Sequence, residues 1–205
     1  MRANRIVLAT TNRGKVAELA ELLAQPHLEL SSVVDTLGRP LVVDEDGDTF
    51  LANAAVKARA VLAATGLPSL ADDSGLEVDA LDGRPGVRSA RFAGAAASDQ
   101  ENIDALLAAL AHLPDPWARS ARFRCVLALA LPGGEFLTAE GCCDGWIALA
   151  PRGDAGFGYD PVFVSPELGG RTLAEVSRED KARVSHRARA ARALRPHLGS
   201  FVRGG

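Results

Sequence analysis

Hydrophobic and polar positions along this chain fall into short blocks with two different periods. Ile6-Val7-Leu8-Ala9 is a continuous apolar run of the buried-strand kind, and it breaks into the polar stretch from Thr10 to Lys15. Val16, Leu19, Ala20 and Leu23 then recur at helical spacing until Pro26. Leu30 to Val34 reads as a second strand, and residues 49–64 as a strong helix in which Asn53 and Lys57, four apart, share one face. Another helix opens at Ser98, with Glu101 at the capping-box position and Ile103, Leu106, Leu107 and Leu110 as its apolar stripe. Phe123, Cys125, Leu127, Leu129 and Leu131 alternate along a strand from Arg122 to Leu131, and Pro132-Gly133-Gly134-Glu135 turns it into a partner from Phe136 to about Cys142. Val162-Phe163-Val164 is a further apolar run, and a C-terminal helix opens near Ser177 and continues to about Leu194. An antiparallel pair beside strand-helix units predicts an α/β fold with a mixed central sheet flanked by helices. No repeat, linker or low-complexity segment interrupts the pattern, which predicts a single domain over 1–205 with two lobes around a cleft.

Four polar stretches stand out against this frame. Ala71-Asp72-Asp73-Ser74-Gly75 reads as a turn at a strand end, because adjacent carboxylates with a hydroxyl and a glycine suit a turn better than a strand interior. Such a turn is either solvated or a place where a carboxylate holds a hard cation and polarises water. Thr10-Thr11-Asn12-Arg13-Gly14-Lys15 lies between a strand and a helix, where backbone N–H groups either receive phosphate or are simply capped. It is not a Walker loop, which needs Gly where Ala9 stands and Ser or Thr where Val16 stands. Asp44-Glu45-Asp46-Gly47-Asp48 is an acidic run placed directly before a helix. Gly153-Asp154-Ala155-Gly156-Phe157-Gly158-Tyr159-Asp160-Pro161 alternates glycines with two aromatics and ends at a carboxylate, a loop staple or a stacking platform for a base.

Composition narrows the function classes. With 23 Lys and Arg against 26 Asp and Glu, the net charge of −3 argues against a partner such as nucleic acid polymer or an anionic membrane. A polyanionic small molecule would then need a local basic cluster such as Arg13, Lys15, Lys57 and Lys181, together with metal. Three cysteines without C-x-x-C spacing suit a reducing cytoplasmic compartment. The run Cys125 to Leu131 is too short to span a bilayer, and Ile6 to Ala9 too short for a signal-peptide core.

Taken together, Thr10 to Lys15, Asp44 to Phe50 with Asn53 and Lys57, Ala71 to Gly75, Gly83-Arg84-Pro85-Gly86, Phe157 to Pro161 and Ser185-His186-Arg187 closely resemble, in order, the motifs of the inosine/xanthosine triphosphate pyrophosphatase family. The resemblance implies an ITPase-like fold with a nucleotide-binding cleft, and a cytoplasmic homodimer. Its activity would be the Mg²⁺-dependent hydrolysis of ITP, dITP or XTP, non-canonical purine nucleoside triphosphates, to the monophosphate and pyrophosphate. By the same resemblance, Thr10, Thr11, Asn12, Arg13, Gly14 and Lys15 would hold the phosphates, and Ser74 and Lys57 would line the triphosphate. Asp73 would be the catalytic base and would bind metal with Asp44 and Glu45, either of which could supply the second ligand. Phe157, Gly158, Tyr159, Asp160 and Lys181 would meet the nucleoside, and His186 and Arg187 the base edge. Asp44 and Asp46 stand where the family often shows Glu and Thr, and Val87-Arg88 where it usually has an apolar residue and an aromatic.

Two other classes of reading remain. A haloacid-dehalogenase-type phosphatase also uses an acidic turn, but it needs D-x-D, which Asp72-Asp73-Ser74 is not. A nucleotide-sensing module would bind without turnover and would leave the separated carboxylate clusters without a task.

Overall fold

The computed structural model describes residues 4–203, with side chains described as far as Leu198. The chain runs β1 (Asn4–Leu8), α1 (Arg13–Leu22), β2 (Leu28–Ser32), α2 (Val33–Leu37), α3 (Phe50–Thr65), β3 (Ser69–Val78), α4 (Asp99–Ala109), β4 (Ser120–Ala130), β5 (Phe136–Ile147), β6 (Phe163–Ser165), β7 (Arg171–Thr172), α5 (Arg178–Val184) and α6 (His186–Arg203). The strands form one seven-stranded sheet in the order β2-β1-β3-β4-β5-β6-β7. It is mixed: β1 pairs parallel with β2 and β3, whereas β6 pairs antiparallel with β5 and β7. The expected mixed α/β sheet flanked by helices is therefore the fold observed.

Local chemistry sets the helix boundaries. Asn12 caps α1 by accepting from the Lys15 amide, and Thr49 caps α3 by accepting from the Ala52 amide. The capping box expected at Ser98 and Glu101 is present on α4. The single C-terminal helix expected from Ser177 is instead two, because Ser185 takes an extended conformation (φ −64°, ψ 150°) between α5 and α6.

The largest departure concerns the acidic stretch. Ala71 to Gly75 is no turn; it lies inside β3, a continuous ten-residue strand. Turn chemistry loses here because both carboxylates are buried and supplied with cationic partners, so the backbone is not needed to satisfy them. A second difference is in β4, whose expected one-sided alternation gives way to an unbroken buried run from Cys125 to Ala130, as suits a strand with neighbours on either side in the sheet.

Two compact units divide the chain. The first comprises residues 1–73, 125–141 and 187–205; the second comprises 74–124 and 142–186. The first unit has a core of Ile6, Leu8, Leu19, Leu23, Leu70 and Leu127 with Leu194 and Leu198 of α6. The second packs Leu76, Val78, Leu106, Leu110, Phe123 and Phe163.

Candidate active site

In the first unit, strand alternation decides what the acidic pair does. Successive side chains on β3 point to opposite faces, so Asp72 and Asp73 belong to different charge clusters. Asp73 looks toward α3, where the expected shared face is realised: Lys57 Nζ lies 2.7 Å from Asp73 Oδ1, and Asn53 Nδ2 donates to Asp73 Oδ2 at 3.4 Å. Lys57 Nζ also reaches Glu45 Oε2 at 2.8 Å and donates to the Asp72 carbonyl at 2.9 Å. The acidic run before α3 is folded back by the Gly47 amide, which donates to Asn53 Oδ1 at 2.9 Å. A Cβ on Gly47 would lie 2.7 Å from that same oxygen and 2.8 Å from Ala52 Cβ, so the approach depends on glycine.

The acidities of these two carboxylates are pushed apart. Burial raises Asp73, Lys57 offsets only part of this, and the neighbouring Glu45 charge adds to the rise. Glu45 is also penalised by burial, but Lys57 outweighs the penalty and holds its carboxyl below the usual range. Burial works against the Lys57 ammonium, yet Asp73 and Glu45 overcome it and hold the amine protonated beyond its usual range. The result is one carboxylate placed to take a proton and one that stays ionised beside it.

Asp72 looks the other way and is 1% exposed. Its Oδ1 lies 2.6 Å from Lys15 Nζ on α1, and its Oδ2 accepts from Arg187 Nε on α6 at 2.8 Å and from Cys125 Sγ at 3.2 Å. Arg187 Nη1 is paired in turn with Glu18. Burial alone would raise Asp72, but Arg187 and Lys15 hold its carboxyl well below the usual range. The Arg187 guanidinium, though penalised by burial, is held protonated by Asp72. Cys125 is a core thiol pushed up first by burial and then by the Asp72 charge, which leaves it inert as a nucleophile.

In the second unit, the Gly/aromatic turn folds around the Asp160 carboxylate. Asp160 Oδ2 accepts from the Phe157 amide at 2.9 Å and from Lys181 Nζ at 2.7 Å, and that ammonium stands 4.8 Å from the Phe157 ring centroid. Gly156, with φ 81°, brings its backbone so close that a Cβ would collide with Asp160 Oδ2. Tyr159 OH donates to the Ser89 carbonyl at 2.9 Å, and the Gly158 amide donates to Asp99 Oδ2 at 2.7 Å. His186 stacks on Phe123 with centroids 4.7 Å apart.

With these arrangements in view, the profile of the Ham1 family matches residues 6–197. The chain belongs to the Ham1 family. It is 51% identical over 185 residues to the dITP/XTP pyrophosphatase of Geobacillus kaustophilus, covering 90% of this chain and 89% of that protein. It is 49% identical over 200 residues to the dITP/XTP pyrophosphatase of an Exiguobacterium strain, covering 98% and 100%. A solved HAM1 protein from Coxiella burnetii matches with a TM-score of 0.84 at 42% identity, covering 96% of this chain and 98% of that one.

The residues singled out by their motifs have the following surroundings. Asn12 spends its side chain on the α1 cap, Thr10 Oγ1 accepts from the Asn12 amide, and Lys15 rests on Asp72. Glu45 is the acidic-run residue that reaches Lys57, whereas Asp44 is exposed. Thr11 and Arg13 are also exposed, and Ser74 is half-buried, next after Asp73 on β3. Arg187, which the resemblance places at the base edge, is 2% exposed and engaged by Asp72 and Glu18. Asp72 and Glu18 are the charged groups that motif reading passed over. Glu18 had a signal, since it follows Lys15 by three residues in α1 and so shares its face.

Proposed function

We propose that this Ham1-family protein hydrolyses the non-canonical purine nucleoside triphosphates ITP, dITP and XTP to the nucleoside monophosphate and pyrophosphate. The observation that carries the reading is Asp73: a buried carboxylate oriented by Lys57 and Asn53, with its proton affinity shifted upward, is suited to act as a general base. Asp73 takes a proton from water, the water oxygen bonds to the α-phosphorus, and the bond to the β-phosphate oxygen breaks to release pyrophosphate. The dITP/XTP pyrophosphatases at about half identity over most of the chain support the substrate class.

Glu45 and Asp73 would hold Mg²⁺. Among the described residues no group of three or more His, Cys, Asp or Glu side chains forms a ready cage. Mg²⁺ held by one or two carboxylates and by substrate phosphates does not require one, and two oxygen donors sharing Lys57 fit that chemistry. When bound, the ion would neutralise phosphate charge and polarise the water.

The remaining roles follow the residues. The N-terminus of α1 from Thr10 to Lys15, with Ser74 and Lys57, serves the triphosphate. Phe157 to Asp160, Lys181 and His186 serve the nucleoside. Arg187 keeps its Asp72 pair and donates to the 6-oxygen of the base in exchange for Glu18. No helix among the described residues is long and apolar enough to cross a membrane; our reading places a single-domain homodimer in the cytoplasm.

The deciding experiment is a panel of ITP, XTP, dITP, GTP and ATP with and without Mg²⁺, scoring pyrophosphate against orthophosphate. Pyrophosphate from ITP, dITP and XTP only with Mg²⁺ is expected. Orthophosphate as the first product, or binding without turnover, overturns the reading.

A further inference from the structure

We infer that Asp99, the first residue of α4, is a positioning residue that fixes the Phe157–Asp160 turn in the conformation that receives the nucleoside. This rests on the proposed role of that turn.

A carboxylate in the first turn of a helix ordinarily caps its own backbone. On α4 that task is already done by other groups. Ser98 Oγ accepts from the Glu101 amide, and Glu101 Oε2 accepts from the Ser98 amide at 2.7 Å. Asp99 instead accepts, at 2.7 Å, from the amide of Gly158, a residue with φ 62° at the apex of the aromatic turn. The bond is short and charge-assisted, and it fixes a backbone that glycine would otherwise leave loose.

A second anchor lies one residue on. Tyr159 OH is bonded to the Ser89 carbonyl, while Ser89 Oγ donates to the Gly86 carbonyl at 2.6 Å and accepts from the Leu76 amide at 2.8 Å. Asn102 of α4 ties the same segment down, accepting from the Ala93 amide at 2.9 Å and donating to the Ala90 carbonyl at 3.2 Å. The Gly83 to Gly86 motif and α4 thus form a frame for the turn. Asp160 and Lys181 hold the turn from inside, and Asp99 is the frame's polar grip on Gly158. The Phe157 ring follows directly from that backbone.

The test compares Asp99→Ala, Asp99→Asn, Ser98→Ala and Phe157→Ala by steady-state kinetics with ITP and by thermal melting. Asp99→Ala is expected to raise KM for ITP about five- to tenfold with kcat changed by less than about twofold, as loss of a partly solvated charge-assisted bond to a positioning backbone implies. Asp99→Asn, which keeps an acceptor oxygen, is expected to recover most of that loss. Ser98→Ala should lower the melting temperature and leave KM unchanged, since it removes the cap and not the grip. An unchanged KM in Asp99→Ala, an Asn variant as impaired as Ala, or a Ser98→Ala variant with the same KM defect overturns the inference. Phe157→Ala separates the two levels: if it too leaves KM for ITP unchanged, the turn does not serve the nucleoside and the underlying reading falls; if it raises KM while Asp99→Ala does not, only the grip falls.

Discussion

Asp72 and Asp73 are neighbours on one strand and have opposite electrostatic fates. Asp72 is held ionised by Lys15 and Arg187, whereas Asp73 is raised by burial that Lys57 does not cancel. The pleat of β3 is enough to explain the division: it turns one carboxylate toward α1 and α6 and the next toward α3. A permanently charged anchor and a proton acceptor can then sit side by side in sequence, each carboxylate with its own direct ion pair, while Lys57 bridges the Asp73 carboxylate and the Asp72 carbonyl.

Asp73→Asn keeps the shape of that acceptor and removes its basicity. Turnover of ITP is expected to fall by roughly 10² to 10⁴, the range for loss of a general base. Nucleotide binding measured by calorimetry should survive. A variant retaining more than about a tenth of wild-type turnover removes Asp73 from the role.

Gly47→Ala tests how the acidic run is held. The added methyl meets Asn53 Oδ1 and Ala52 Cβ, so the run must lift away and carry Glu45 from Lys57. The Mg²⁺ concentration for half-maximal rate is expected to rise several-fold, while the melting temperature changes little because the segment is largely solvated. An unaltered Mg²⁺ dependence would mean that Glu45 is not a ligand.

The mixed sheet, the helices α1, α3 and α4 and the α4 capping box were legible because each rests on local signals: apolar runs, 3.6-residue spacing, Ser98 with Glu101; the strand expected over Leu30 to Val34 instead covers Leu28–Ser32, and Val33 opens α2. The acidic stretch was not, because what keeps Asp72 and Asp73 inside a strand comes from Lys15, Lys57 and Arg187, the last of them 115 residues distant from Asp72. No short window on the sequence holds Asp72 together with Lys15 or Arg187. The roles of Asp99 and Ser89 escape for the same reason: the Asp99 carboxylate accepts from the Gly158 amide and the Ser89 carbonyl from the Tyr159 hydroxyl, both far along the chain. Lys57 with Asn53 was legible, since α3 itself aligns them.

Tyr159 offers a reading of the second unit through pH. It is the only tyrosine in the chain, and burial, with the Asp99 charge adding to it, raises its phenol above the ordinary range. The neutral phenol is thus favoured by folding: its contribution is complete below about pH 10 and is lost as pH climbs toward the folded value. Phenolate absorbance should stay flat past pH 10 and rise together with loss of circular dichroism. Tyr159→Phe should flatten that alkaline limb of stability. A phenolate signal near pH 10 in a still-folded protein contradicts the Ser89 bond.

Arg187 carries the last prediction, because two of its consequences can be measured separately. Its removal leaves Asp72 buried with Lys15 as its remaining cation, and breaking a buried pair costs about 3 to 5 kcal/mol. Arg187→Ala is therefore expected to lose stability on that scale in a denaturant titration, where a solvated surface arginine would lose less than about 1 kcal/mol. The proposed bond to the 6-oxygen adds a separate, substrate-dependent loss. ITP and XTP should forfeit a charge-assisted hydrogen bond of roughly 1.5 to 3 kcal/mol that ATP, with an amino group at that position, never made. The ratio of kcat/KM for ITP over ATP should then fall about ten- to a hundredfold in the folded variant, through the ITP term. Lost stability with an unchanged ratio would confine Arg187 to holding Asp72 and move base selection to the Phe157–Asp160 turn. A change in neither would contradict the buried ion pair itself.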